Sequence, residues 1–249
     1  MIHSFLLIGQ SNMAGRGFIC DAPAFDDGKV LVLRNGRWQK AFRPICPDRA
    51  FSGVNLAEYF ASAYAAEHGV YCGLIPCADG GTSLNQWKEG SLLYDNAVNC
   101  ARLAMRTSTV AGVLWHQGET DCMEGSFDDY EEKLSKIFAA LRRDLSLFDV
   151  PFVVGGLGDY LVNREEPGLK KYAVINKALE SYASSSPMTG FVSAEGLTSN
   201  PDNLHFDSAS LYKFGKRYYE VFKTLEDTNK IFSEKPDMDF ATRGALEKY

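Results

Sequence analysis

The chain has 249 residues, 45% of them hydrophobic and 23% charged, with a formal net charge of −6. That length and balance fit one large α/β domain with a substantial core, and the absence of repeats or low-complexity runs excludes a fibrous or largely disordered chain. Lys and Arg are scattered among the acids instead of clustered, so neither nucleic acid nor an anionic membrane is an expected partner.

Taken in chain order, short apolar runs alternate with longer amphipathic stretches. Residues 2–8 read as the first strand. Residues 16–53, rich in Gly, Pro and aromatic side chains, read as a surface insertion carrying one extra strand, 29–33, that ends at the turn Asn35-Gly36. A helix over 55–68 stops at Gly69 and is followed by a strand over 70–75, a helix over 94–106 and a strand over 112–115. Ser126 and Asp129 mark the start of a helix over 127–148, in which Leu134, Ile137, Phe138 and Leu141 recur at three- and four-residue spacing. A strand over 152–157, a helix over 170–183, a strand over 190–193 and a helix over 209–225, announced by Asp207, complete the pattern. Five strands alternating with five helices predict one doubly wound domain over 1–227, with a tail over 228–249.

No run approaches the ~20 apolar residues of a membrane helix. The N-terminal run Phe5-Leu6-Leu7-Ile8 lacks a basic flank and is too short for a signal sequence, which predicts a cytoplasmic protein. The six cysteines form no Cys-x-x-Cys pair and stand near no His at zinc-finger spacing, so they read as reduced, mainly buried thiols, with no metal site expected.

In doubly wound folds ligands bind beyond the carboxyl ends of the strands, and polar residues collect at three of those ends. The first strand runs into Gly9-Gln10-Ser11-Asn12-Met13, the second into Asp79-Gly80-Gly81-Thr82, and the third into Trp115-His116-Gln117-Gly118-Glu119. The loop before the last helix carries Asp202-Asn203-Leu204-His205. A carboxylate three residues before a histidine can bond the ring and fix its tautomer, which is what a base acting on a serine hydroxyl requires. Ser11 is the candidate nucleophile, His205 the base and Asp202 its partner. The Ser11 N–H, an N–H of the Gly80-Gly81 turn and the Gln117 side-chain amide are candidate donors to a developing oxyanion.

In this order, Gly-Gln-Ser-Asn-Met, Gly-Gly-Thr, Trp-x-Gln-Gly-Glu and Asp-x-x-His resemble the SGNH (GDSL-type) hydrolase superfamily. The likeness is to its carbohydrate-esterase branch, which holds acetylxylan esterases and sialate O-acetylesterase-like proteins, and it spans about residues 5–215. The resemblance implies a flavodoxin-like three-layer α/β/α sandwich with a five-stranded parallel sheet. It implies a triad of Ser11, Asp202 and His205, an oxyanion hole of Ser11, Gly81 and Gln117, and no cofactor; whether Gly80 or Gly81 donates stays open. Glu119 is then a buried carboxylate bracing the loops, with Asn12 supporting the nucleophile's loop. Gln10, Arg16, Asn85 and Trp87 are candidates for the sugar site.

The expected activity is removal of O-acetyl groups from a small carbohydrate, a xylo-oligosaccharide or a sialic-acid-like sugar, by a protein that can also self-associate into a homo-oligomer. A general short-chain esterase or acyltransferase and a catalytically silent carbohydrate-binding protein are the alternatives.

Overall fold

The computed structural model describes residues 1–233. Its centre is β1 (Ile2–Gly9), whose residues Phe5 to Ile8 are fully buried, as befits a parallel strand covered on both faces. β4 (Tyr71–Pro76) and β5 (Thr109–His116) flank it, both parallel to it. The full order is β3-β2-β4-β1-β5-β6-β7, with β2 at Val30–Arg34, β3 at Arg37–Lys40, β6 at Phe152–Gly155 and β7 at Thr189–Val192.

The sheet therefore has seven strands, not five. The five expected strands are its central and right-hand members. The insertion strand β2 joins them in parallel beside β4, and β3 folds back antiparallel on β2. Asn35 and Gly36 both have positive φ, 52° and 74°, as a two-residue hairpin turn that matches strand twist requires. β3, Arg-Trp-Gln-Lys, is an edge strand with charged ends and no apolar run to betray it.

Helices α2 (Ala57–His68) and α7 (Ser208–Ser233) pack together on one face, and α3 (Leu92–Ala104), α5 (Tyr130–Leu145) and α6 (Tyr172–Ser185) cover the other. Phe5 meets Phe60, Tyr64 and Phe222 edge-on across the first interface; Phe138 contacts Trp115, Phe152 and Tyr182 across the second. Two short helices were not legible in the periodicity: α1 (Ser11–Ala14) and α4 (Glu119–Glu124), each starting directly after a central strand. Helix α5 begins at Tyr130 because residues 127–129 form a turn. Gly69 ends α2 with φ 68°, and Asp207 Oδ1 accepts the Ser210 N–H at 2.7 Å at the start of α7. α7 continues past position 228, where a tail was expected; the rest of that tail, 234–249, lies outside the described residues.

All six cysteines are free thiols, and four of them are buried, with Cys20 exposed and Cys100 half-buried. No helix of the described residues is long and apolar enough to cross a membrane.

The chain leaves β1 toward β4 on one side and reaches β5 on the other, so the crevice of this sheet opens where β1 and β5 end side by side. Gly9 makes that closeness possible. Its φ is 126°, and a Cβ there would lie 2.1 Å from the His116 carbonyl oxygen. Gly9→Ala is expected to lower stability by about 3 kcal/mol or more in urea denaturation, whereas Gly28→Ala, which meets nothing within 4 Å, changes it by less than about 0.5 kcal/mol.

Candidate active site

Ser11 opens α1 immediately beyond β1, with its side chain at the floor of the crevice and only 6% exposed. The loop between β7 and α7 brings His205 to it: His205 Nε2 stands 3.0 Å from Ser11 Oγ. On the other side of the ring, Nδ1 lies 2.7 Å from Asp202 Oδ2. A carboxylate can only accept, so Nδ1 carries the proton and Nε2 is left as the acceptor for the serine hydroxyl.

The carboxylate is itself fixed by its own loop. Asp202 Oδ1 accepts the Leu204 and His205 N–H groups at 2.9 and 3.0 Å. Burial would push the Asp202 carboxyl up, but bonds from the His205 N–H and ring and from the Leu204 N–H together hold it below the ordinary carboxylate value.

Since β7 is an outer strand, something must draw its loop across to β1. Asn12 does so. Its Oδ1 accepts the Phe206 N–H at 3.1 Å and its Nδ2 donates to the Leu204 carbonyl at 3.2 Å, gripping the chain on both sides of His205. The same Nδ2 donates to Glu119 Oε1 at 2.6 Å, and Asn200 Nδ2 adds a bond to the Arg16 carbonyl at 2.9 Å. Glu119 and Asn12 thus belong to one buried cluster, with His116 Nδ1 3.8 Å from Glu119.

A Ser–His–Asp chain with these contacts can transfer the serine proton to the ring as the oxygen attacks an acyl carbon. Over residues 1–224 the sequence matches the family described as carbohydrate esterase, sialic acid-specific acetylesterase. The chain belongs to this carbohydrate-esterase family. It is similar to a probable carbohydrate esterase of Arabidopsis thaliana, 28% identical over 239 residues, covering 85% of this chain and 86% of the relative. A solved structure of an Arabidopsis thaliana protein superposes with a TM-score of 0.78 at 26% identity, covering 89% of this chain and 98% of that one. NanS (TM-score 0.71, 17% identity, 91% and 98% covered) and the carbohydrate acetylesterase XAC1771 of Xanthomonas citri (0.68, 19%, 90% and 56%) share the fold. The protein is accordingly a carboxylic ester hydrolase of the carbohydrate-esterase kind.

In this esterase the glycine turn resolves into two different residues. The Gly80 N–H is taken by Asp48 Oδ2 at 2.8 Å, whereas the Gly81 N–H has no protein acceptor among the described residues. Of the pair, Gly81 is the one able to donate to a ligand. The Ser11 N–H is likewise without a protein acceptor among the described residues.

Gln117 lies at the expected strand end, with its side chain engaged inside the protein. Its Nε2 faces three oxygens: Asp121 Oδ2, the Thr82 carbonyl at 2.9 Å and Gln10 Oε1 at 3.2 Å. Its Oε1 accepts from Tyr130 Oη. Three acceptors on one end fix which end is nitrogen, and both amide hydrogens are consumed inside the protein. Gln10 is the complement: its Oε1 accepts from Gln117 and from the Gly118 and Thr120 N–H groups, leaving its Nε2 with no protein acceptor among the described residues. Asp121, to which the sequence reading gives no role, anchors this pair; burial raises its carboxyl to about 6.

The other candidates for the sugar site are engaged within the protein or lie in another cleft, although Arg16 and Ser11 both flank Gly80. Trp87 is 1% exposed, packs edge-on against Trp115 and donates its indole N–H to Thr82. Asn85 is exposed in a separate cleft with Lys88, Lys133 and Arg143. Arg16 is buried in a two-pronged ion pair with Asp48 at 2.7 and 2.9 Å. Asp48 and its neighbour Arg49, which bonds Asp79 and the Gly80 carbonyl, carry no motif by which sequence reasoning would find them.

Asp202→Asn removes the acceptor that fixes the ring tautomer, so kcat for an ester substrate is expected to fall by about 10²- to 10⁴-fold. Because the folded carboxyl is held low, its contribution to stability is present above the unfolded value of about 3.9 and is lost as pH falls through the lower folded value. The difference in melting temperature between wild type and Asp202→Asn should be full at neutral pH and close under acid titration.

Proposed function

We propose that this esterase removes O-acetyl groups from small carbohydrates, xylo-oligosaccharides or sialic-acid-like sugars, through an acetyl-enzyme formed on Ser11. The observation that carries the reading is the chain Ser11 Oγ, His205 Nε2, His205 Nδ1, Asp202 Oδ2, with separations of 3.0 and 2.7 Å. His205 takes the serine proton as Oγ attacks the acetyl carbonyl carbon. It returns that proton to the sugar oxygen as the alcohol leaves, then deprotonates the water that hydrolyses the acetyl ester and releases acetate.

The negative oxygen of each tetrahedral intermediate is received by the Ser11 and Gly81 N–H groups. Gln117 enters through its neighbour: by holding Gln10 Oε1 it leaves Gln10 Nε2 as the side-chain amide for a third bond. The family description, specific to sialic acid acetyl esters, supports the acetyl group as the acyl part and a sugar as the alcohol. Six free thiols, one of them exposed, support a reducing compartment such as the cytoplasm.

The reading is tested by following p-nitrophenyl acetate, butyrate and octanoate beside an acetylated xylo-oligosaccharide and an O-acetylated sialic acid. Rates are expected to fall with acyl length, and Ser11→Ala to lose at least about 10³-fold on every substrate. Equal rates in wild type and Ser11→Ala would overturn the acetyl-enzyme, and a preference for octanoate would overturn the acetyl specificity.

A further inference from the structure

The insertion that precedes α2 is gripped to the loop after β4 at successive residues. Cys46 Sγ lies 3.3 Å from the Ala78 carbonyl as donor. Asp48, held by Arg16 and by the Ser52 hydroxyl at 2.7 Å, accepts the Gly80 N–H at 2.8 Å. Arg49 Nη2 donates to the Gly80 carbonyl and to Asp79 Oδ1, both at 2.8 Å, while its Nη1 donates to the Asp48 carbonyl at 2.7 Å. Two adjacent residues thus occupy both backbone polar groups of Gly80.

A peptide unit is planar, and the bond between Gly80 and Gly81 is trans, the only cis bond among the described residues being Arg43-Pro44. In a trans unit the C=O and N–H point in opposite directions. Fixing the Gly80 carbonyl on Arg49 therefore fixes the direction of the Gly81 N–H on the far side of the same plane. Gly80 stands against the nucleophile: a Cβ built on it would lie 3.5 Å from Ser11 Cβ.

This peptide needs an external hold, because neither flanking residue has a Cβ to oppose rotation of the unit and Gly81, at φ 76°, is in a region glycine enters freely. Turned over, the unit would present a carbonyl oxygen where an anion must be bound. A cation on the Gly80 oxygen also polarises the peptide and makes its N–H a better donor.

We propose that Arg49 is a positioning residue for the oxyanion hole, latching the Gly80–Gly81 peptide so that the Gly81 N–H faces the acyl oxygen. The proposal rests on the reading of Gly81 as an oxyanion donor in ester hydrolysis on Ser11. Arg49 acts through the peptide and not on the substrate, so its loss falls on the transition state. The guanidinium serves two acceptors from one nitrogen and a third from another, a geometry that lysine reproduces only in part.

The test compares wild type, Ser11→Ala, Arg49→Ala, Arg49→Met and Arg49→Lys on p-nitrophenyl acetate, an uncharged substrate. Inhibition by an aryl trifluoromethyl ketone, whose serine adduct carries the oxyanion, is measured in parallel. Arg49→Ala and Arg49→Met are expected to lose about 10- to 100-fold in kcat with KM within about twofold, and to weaken the ketone by the same factor as kcat/KM. Arg49→Lys should recover part of the loss. The proposal is overturned if kcat stays within about twofold of wild type, if KM rises at constant kcat, or if the ketone binds the variants undiminished. Melting temperatures are taken for every variant; should Arg49→Ala fail to fold, Arg49→Met carries the same comparison. Retention of activity by Ser11→Ala would instead remove the underlying reading whatever the Arg49 variants do.

Discussion

Asn12 spans the crevice and ties together parts of the chain nearly two hundred positions apart. Its amide bonds the Leu204 carbonyl and the Phe206 N–H on either side of His205, and its nitrogen also meets Glu119 beyond β5. The sheet sets the problem that this residue solves. Parallel strands place Ser11, Gly81 and Gln117 side by side at three neighbouring strand ends, but His205 arrives on a loop from an outer strand and must be pulled inward. One side chain whose oxygen accepts and whose nitrogen donates can hold both faces of that loop, which an apolar residue of the same size cannot. With the loop held, the local geometry of Asp202-Asn203-Leu204-His205 aligns the carboxylate with the ring unaided, because the carboxylate bonds its own backbone as well as the ring.

Much of this was legible in the sequence because it is local. An apolar run ending in Gly-Gln-Ser declares both a buried strand and the polar residue exposed at its end, and an acid three residues before a histidine declares their pairing. Strands β1, β4, β5, β6 and β7 and the five long helices followed from periodicity for the same reason. β3 escaped because an edge strand of Arg-Trp-Gln-Lys has no buried face to generate a pattern, although the Asn35-Gly36 turn implied a returning partner. α1 and α4 escaped because one or two turns cannot establish a period.

What the sequence concealed is non-local. Trp87 in a loop looks like a sugar platform until Trp115 is found against it, and Arg16 looks like a ligand contact until Asp48 is found to neutralise it. Gln117 sits where a donor was expected, and its Nε2 meets Asp121, Thr82 and Gln10 inside the protein, while Gln10 Nε2 has no protein acceptor among the described residues. Each correction depends on which distant residue comes to rest beside a given polar atom. The insertion is the main source of these partners: Asp48 and Arg49 approach the glycine turn from outside the parallel sheet, and they decide which of two adjacent glycines keeps a free N–H.

The central claim is that Ser11, activated by His205, is the atom that bonds the acyl group. An organophosphorus fluoride that phosphorylates activated serines tests it directly when residual esterase activity and peptide masses are followed in the same samples. The account predicts a single stoichiometric adduct on the peptide containing Ser11, growing in step with the loss of activity and blocked by His205→Ala. Complete inactivation with the Ser11 peptide unmodified would contradict it.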